Sequence, residues 1–187
     1  MTPEQAQALL TIADAAVAAE RTTGCPAEIS TAQCIIESAW LTEAPQNNSF
    51  GVKAYAGCYG RQLLPTTEWF TDAECARFLA GDPARTATLK NADVPPNGSD
   101  RREYAVQDWF ATFATLADCF AFHGALLQRG VYAGAWAKYQ ANHDLDGYIQ
   151  GIAAHYATDP TYAAQIIQLA HGPHVTADVV AARETGV

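Results

Sequence analysis

The chain has 187 residues, enough for one domain with a proper core, and 49% of them are apolar against 17% charged, which excludes a disordered chain. Eleven Lys and Arg against twenty Asp and Glu give a formal net charge of −9. Because the basic residues lie scattered, apart from Arg101-Arg102, no phosphate-tracking surface forms and nucleic acid is not an expected partner.

Residues 3 to 21 read as an opening helix, with Thr2 as N-cap, Pro3 in the first turn and Leu9, Leu10, Ile12, Ala13, Ala16 and Val17 on the apolar face. Before it, Met1-Thr-Pro-Glu-Gln lacks the basic segment and apolar core of a signal peptide. After Gly24 and Pro26 a second helix runs from about 27 to 40. Its apolar stripe is Ile29, Ala32, Ile36 and Trp40, and Gln33 and Glu37 stack one turn apart beside it. From Phe50 to about Gln107, Gly, Pro and short mixed runs replace helical spacing. Leu63 to Phe70 reads as a strand and Asp72 to Leu79 as a short helix that stops at Gly81. Thr86 to Lys90 and Glu103 to Trp109 read as strands paired around Asn91 to Asp100.

Helical spacing returns at Thr115, where Leu116, Phe120, His123 and Leu127 line one face until Gly130. Ala133 to Asn142 is a further short helix. Asp144 is expected to cap one carrying Tyr148, Ile149 and Ile152. Asp159-Pro160 is expected to cap the last, which ends at Gly172-Pro173. The tail from Val175 to Val187 reads as weakly helical. No run approaches the roughly eighteen apolar residues of a membrane span, so no membrane partner is expected.

Five cysteines, Cys25, Cys34, Cys58, Cys75 and Cys119, form no C-x-x-C pair, which sets aside zinc-ribbon and thioredoxin readings. Cys34 and Cys119 fall in apolar helical stretches and read as buried thiols, while Cys58 and Cys75 flank one segment and are a candidate disulfide. The five histidines make no H-E-x-x-H pattern, and the closest pair, His171 and His174, reads as solvated or capping rather than metal-binding. Neither a metal nor a cofactor is expected.

Glu37 stands out chemically. Ile35, Ile36, Ala39 and Trp40, if packed around it, remove water and penalise the charged form, as a general acid near neutral pH requires. A Glu on the wet edge of an amphipathic helix is the commoner case, and periodicity does not decide between them. The run Ala32-Gln33-Cys34-Ile35-Ile36-Glu37-Ser38-Ala39-Trp40, followed by Asn47-Asn48-Ser49-Phe50-Gly51-Val52-Lys53-Ala54, resembles the A-Q-x-x-x-E-S-x-W and N-x-F-G-x-K-A signatures of the bacterial cell-wall endo-β-N-acetylglucosaminidases, glycoside hydrolase family 73 of the lysozyme-like superfamily. Two signatures in family order and spacing are far more specific than either alone, and the likeness runs from about Glu4 to Ala170, with 72 to 104 as its main gap.

The resemblance implies a mainly α, α+β lysozyme-like fold. Its single catalytic domain spans 1–187, with a helical lobe (1–50 and 110–172), a small β-hairpin lobe with an insertion (about 51–109), a groove between them and a tail (173–187). It also implies hydrolysis of the β-1,4 bonds of peptidoglycan glycan strands at N-acetylglucosamine, with Glu37 as acid. Glycosidic cleavage usually needs a second group to stabilise the developing cation or activate water. Pro65-Thr66-Thr67-Glu68 matches the family's T-T-E stretch and makes Glu68 the first choice. A long insertion then delays the aromatic segment Trp109-Phe110-Ala111-Thr112-Phe113, and Glu103, close before it, is the alternative.

Tyr156-Ala-Thr-Asp-Pro-Thr-Tyr-Ala163 resembles the family's Y-A-T-D-P-x-Y-A run, which implies that Tyr156 holds the sugar's N-acetyl group or steadies a carboxylate. Gln33, Asn48, Phe50, Tyr55, Trp69 and Asp159 are expected to bind substrate, Trp69 and Tyr55 by stacking on sugar faces, and Lys53 to position substrate or loop. A monomer is expected. With −9 net charge facing an anionic wall, binding is expected to rest on short-range sugar contacts.

An N-acetylmuramidase or lytic transglycosylase on the same fold is the alternative enzyme, and an inactive glycan-binding module the alternative outside catalysis. The sequence shows no leader, so for action on the wall either a leader has been removed or another factor, such as a phage holin, lets the protein out; manufacture in the cytoplasm and release in the manner of a phage or prophage endolysin is the expectation.

Overall fold

A computed structural model describes residues 1–91, 100–157 and 159–186. The chain divides into two compact units, one of residues 1–51 with 113–187 and one of residues 52–112.

The first unit is helical. Helix α1 (Pro3–Thr23) starts in a capping box: the Gln5 amide donates to Thr2 Oγ1 at 3.3 Å, and Thr2 N–H to Gln5 Oε1 at 2.8 Å. It ends at Gly24, whose φ of 75° suits a residue without Cβ. With Leu9, Ile12, Ala13, Ala16 and Val17 fully buried, α1 is the central rod, packed on by α2 (Ala27–Glu37), α4 (Leu116–Leu126) and α8 (Pro173–Thr185). The approach of α4 is close because Gly124 has no side chain: a Cβ there would lie 2.9 Å from Thr23 Oγ1 and 3.1 Å from Cys25 Cβ.

Helices α5 (Ala133–Asn142), α6 (Leu145–Tyr156) and α7 (Tyr162–Ala170) complete the unit. A second packed layer joins Ile29 and Ala32 of α2 to Tyr148, Ile149 and Ile152 of α6 and to Tyr162 and Ile166 of α7. Asp144 caps α6 as expected, accepting from Gly147 N–H at 3.0 Å. At α7 the expectation fails: Thr161 is the N-cap position, and Asp159 lies outside the helix in a turn, accepting from Thr161 N–H at 2.8 Å and Oγ1 at 2.7 Å. The tail is no weak helix either. α8 buries Val175, Val179 and Ala182, and its Arg183 bridges Glu20 and Glu28 at 2.7 Å each.

The second unit is a three-stranded antiparallel sheet with one helix. The paired strands anticipated from sequence are present as β2 (Thr86–Asn91) and β3 (Arg102–Thr112), but β3 is central and also pairs along its whole length with β1 (Gly60–Phe70). The connection anticipated over 91 to 100 lies almost wholly outside the described residues. Helix α3 (Asp72–Gly81), opened by a Thr71–Glu74 capping box, packs Cys75 and Phe78 on Tyr104 and Val106 of β3. The expected Cys58–Cys75 disulfide is absent: all five cysteines are free thiols, and Cys75 is buried in this small core. No helix among the described residues is long and apolar enough to cross a membrane.

Candidate active site

Helix α2 ends at Glu37, three residues earlier than its apolar stripe suggests. The stop is Ser38, fully buried, whose Oγ donates to Cys34 O at 2.6 Å and accepts from Leu41 N–H at 2.9 Å. Ala39, Trp40 and Leu41 then take φ of 47°, 62° and 66°, a short left-handed turn. For L residues this costs roughly 1–2 kcal/mol each relative to the right-handed form. Ser38 opposes that cost twice, since its carbonyl also accepts from Glu43 N–H at 2.9 Å. Glu37 is thereby left at a helix end with the chain turning away from it.

Glu37 is exposed as a residue, yet its carboxyl is dried on one side: burial raises its pKa above the ordinary 4.5, opposed by a hydrogen bond from Tyr162. Tyr162 Oη donates to Glu37 Oε1 at 3.1 Å and accepts from Gln33 Nε2 at 3.0 Å. Gln33 Oε1 in turn meets His123 Nε2 at 3.1 Å. His123 is fully buried, which pushes its pKa down to about 3 and leaves it neutral. Its ring is stacked on Phe50, with centroids 3.8 Å apart and an interplanar angle of 6°, and Tyr156 meets it edge-on at 5.8 Å. Tyr156 also stacks on Tyr162 at 5.6 Å, and burial together with the nearby Glu37 holds its hydroxyl well above the ordinary tyrosine range.

These contacts revise several sequence expectations. Gln33 is 1% exposed and Phe50 7%, so neither offers surface to a sugar; Gln33 bonds Tyr162 and His123, and Phe50 stacks on His123. Asn48, at 4% exposure, is likewise interior. Tyr162 and His123 were not anticipated at the site. The signals were present: Tyr162 is the second tyrosine of the Tyr156–Ala163 run, and His123 falls on the apolar face of its helix, one turn after Cys119.

The sheet unit carries the remaining candidates. Residues directly across an antiparallel ladder share a face. Glu68 opposes Tyr104, and Trp69 opposes Glu103, so Glu68 and Glu103 lie on opposite faces of the sheet. Glu68 Oε1 is paired with Lys53 Nζ at 2.7 Å, and Lys53 reaches Asp108 Oδ2 at 2.9 Å while its ammonium lies 4.2 Å from the Phe110 ring centre. Burial would raise the Asp108 carboxyl, but hydrogen bonds from Lys53 and the Trp109 amide and the charges of Lys53 and Arg85 outweigh it and lower the pKa below 3.8. Glu103 pairs with Lys90 at 2.8 Å. Trp69 and Tyr55 are 43% and 40% exposed, as a sugar platform needs. Among the described residues no group of three or more His, Cys, Asp or Glu could hold a metal ion. The apolar cavity lined by Leu9, Ile36, Trp40, Leu169, Pro173 and Val175 does not include Glu37.

A helical unit presenting one partly dried carboxyl at a helix end, with a small antiparallel sheet carrying further acids, is the kind of arrangement a glycoside hydrolase uses. The chain belongs to the glucosaminidase family, described as mannosyl-glycoprotein endo-β-N-acetylglucosaminidase, which matches residues 13–173. No curated protein sequence matches it significantly. Among solved structures it is similar to the catalytic domain of the autolysin Auto from Listeria monocytogenes, at TM-score 0.65 and 19% identity over 95% of this chain and 89% of that one. The glycoside hydrolase domain of FlgJ from Salmonella typhimurium superposes at TM-score 0.59 with 18% identity over 100% and 97% of the two chains. A peptidoglycan hydrolase from Sphingomonas sp. A1 gives 0.58 and 18% over 95% and 94%.

Proposed function

We propose that this glucosaminidase hydrolyses the β-1,4 bonds of peptidoglycan glycan strands on the reducing side of N-acetylglucosamine, with Glu37 as general acid. The observation that carries the reading is the state of Glu37. Its pKa is raised by burial, one oxygen is held by Tyr162, and the other makes no hydrogen bond among the described residues. Such a group keeps its proton to higher pH and has an oxygen from which to deliver it to a leaving glycosidic oxygen. The family supplies the bond type, and the autolysin and the peptidoglycan hydrolase among the similar structures favour the wall over a glycoprotein as substrate.

Glu68 is the second carboxylate in this reading. Its support is the T-T-E match and the pairing with Lys53 of the N-x-F-G-x-K signature, a residue that Asp108 holds in turn. Glu103 lies on the other face and is paired with Lys90. Tyr156, its hydroxyl without a hydrogen bond among the described residues, is the candidate partner for the substrate's N-acetyl group, and Trp69 and Tyr55 for sugar faces. The enzyme acts as a monomer, at the wall.

Digestion of purified peptidoglycan followed by mass spectrometry of the fragments tests the reading, with a high-mannose glycopeptide as the competing substrate. Reducing N-acetylglucosamine ends are expected from the wall. Reducing or anhydro muramic ends, or cleavage of the glycopeptide alone, would overturn it.

A further inference from the structure

Resting on Glu37 as the acid, we infer that His123, Gln33 and Tyr162 are positioning residues that fix which oxygen of Glu37 carries the acid proton: Oε2, not Oε1. An amide oxygen only accepts and an amide nitrogen only donates. His123 Nε2 faces Gln33 Oε1 at 3.1 Å, so the imidazole holds its hydrogen on Nε2 and donates. The amide is thereby locked with Gln33 Nε2 toward Tyr162, donating at 3.0 Å. Tyr162 Oη, having accepted there, sends its single proton to Glu37 Oε1 at 3.1 Å. An oxygen held by a phenol donor is the carbonyl-type oxygen of the acid, so the proton of neutral Glu37 resides on Oε2.

Every link is neutral and nearly every one is dry, which fits a chain that transmits orientation rather than charge. Gln33 and His123 are each 1% exposed, and burial keeps His123 unprotonated far below neutral pH. Among the described residues the titratable groups that interact with Glu37 are Cys34 on its own helix, Tyr156 on α6 and Tyr162 on α7, with Tyr132 ahead of α5 beside the two tyrosines; burial is the leading cause that raises the pKa of each, so none is charged at neutral pH. The stacking of Phe50 on His123 is part of the device, because it fixes the plane in which Nε2 points. Without the His123 donor, the Gln33 amide is free to turn over, offer its oxygen to Tyr162 and draw that proton away from Glu37.

The test is the pH of half-protonation of Glu37, read by carboxyl 13C NMR on substrate-free protein, beside the alkaline limb of kcat/KM on purified peptidoglycan. Tyr162→Phe removes a hydrogen bond to the ionised form and is expected to raise both by about one unit. Gln33→Met and His123→Phe, at positions that make no hydrogen bond to the Glu37 carboxyl among the described residues, are expected to raise them in the same direction. His123→Phe added to Tyr162→Phe is expected to add nothing further, and His123→Gln, which retains a neutral donor, to restore much of the wild-type value. A purely structural role would lower the melting temperature and leave the titration in place. If Gln33→Met and His123→Phe fold and leave Glu37 titrating as in wild type while Tyr162→Phe shifts it, the inference is overturned. Because the titration needs no turnover, failure of wall digestion would sink the proposed function and leave this result standing.

Discussion

The two units handle their acids in opposite ways. In the helical unit Glu37 has no charged partner among the described residues: a phenol, an amide and a neutral imidazole stand behind it, and the surrounding protein penalises its ionised form. In the sheet unit every candidate carboxylate meets a cation, Glu68 with Lys53, Asp108 with both Lys53 and Arg85, and Glu103 with Lys90. Environment rather than residue type sets the partly dried acid of the helical unit apart from the cation-paired carboxylates of the sheet, which is the division of labour glycosidic cleavage calls for.

Breaking the helical side should have the largest effect. Glu37→Gln retains the shape and removes the proton, and turnover of purified walls is expected to fall about 10³-fold, measured by release of reducing ends. On the sheet side, Glu68→Gln is expected to lower kcat about 10²-fold while Glu103→Gln changes it by less than about threefold, as for an exposed ion pair of little energetic weight. Equal losses in the two variants would erase the distinction drawn from their opposite faces.

A smaller effect concerns stability. Because Asp108 titrates below 3.8 in the folded protein, its ionised form contributes stability that is present above 3.8 and lost as pH falls through the lower folded value. Asp108→Asn is expected to be less stable than wild type at neutral pH, with the gap closing in acid, read from urea melts at pH 7 and pH 3. The smallest effect is electrostatic at long range. With a net charge of −9 opposite an anionic wall, raising salt from about 10 to about 150 mM shortens the Debye length from roughly 30 to roughly 8 Å and is expected to lower KM by a few-fold with kcat unchanged.

What could be read from the sequence was what is local. The Thr2 and Asp144 caps bond to groups three residues away, and spacing reveals them directly. The stop of α2 at Glu37 was hidden because Trp40 fits the helical stripe, and only the Ser38 contacts show why the chain leaves the helix. The central position of β3 depends on its pairing with β1, which leaps over α3 and β2, and no local pattern encodes that. The site behaved alike. Glu37 was visible through its motif, whereas Tyr162 bonds it across 125 positions of sequence and His123 acts on Gln33 across 90. The helical tail was legible in principle, since Val175, Val179 and Ala182 fall one turn apart on one face.

Acid catalysis by Glu37 requires that it hold its proton to higher pH than a free carboxyl. Site-resolved 13C titration of wild-type Glu37, set beside the pH dependence of kcat/KM on purified peptidoglycan, reads this directly. A half-protonation pH above 4.5 that coincides with the alkaline fall in kcat/KM is the predicted result. A value at or below 4.5, or an alkaline limb that does not follow it, would contradict the account.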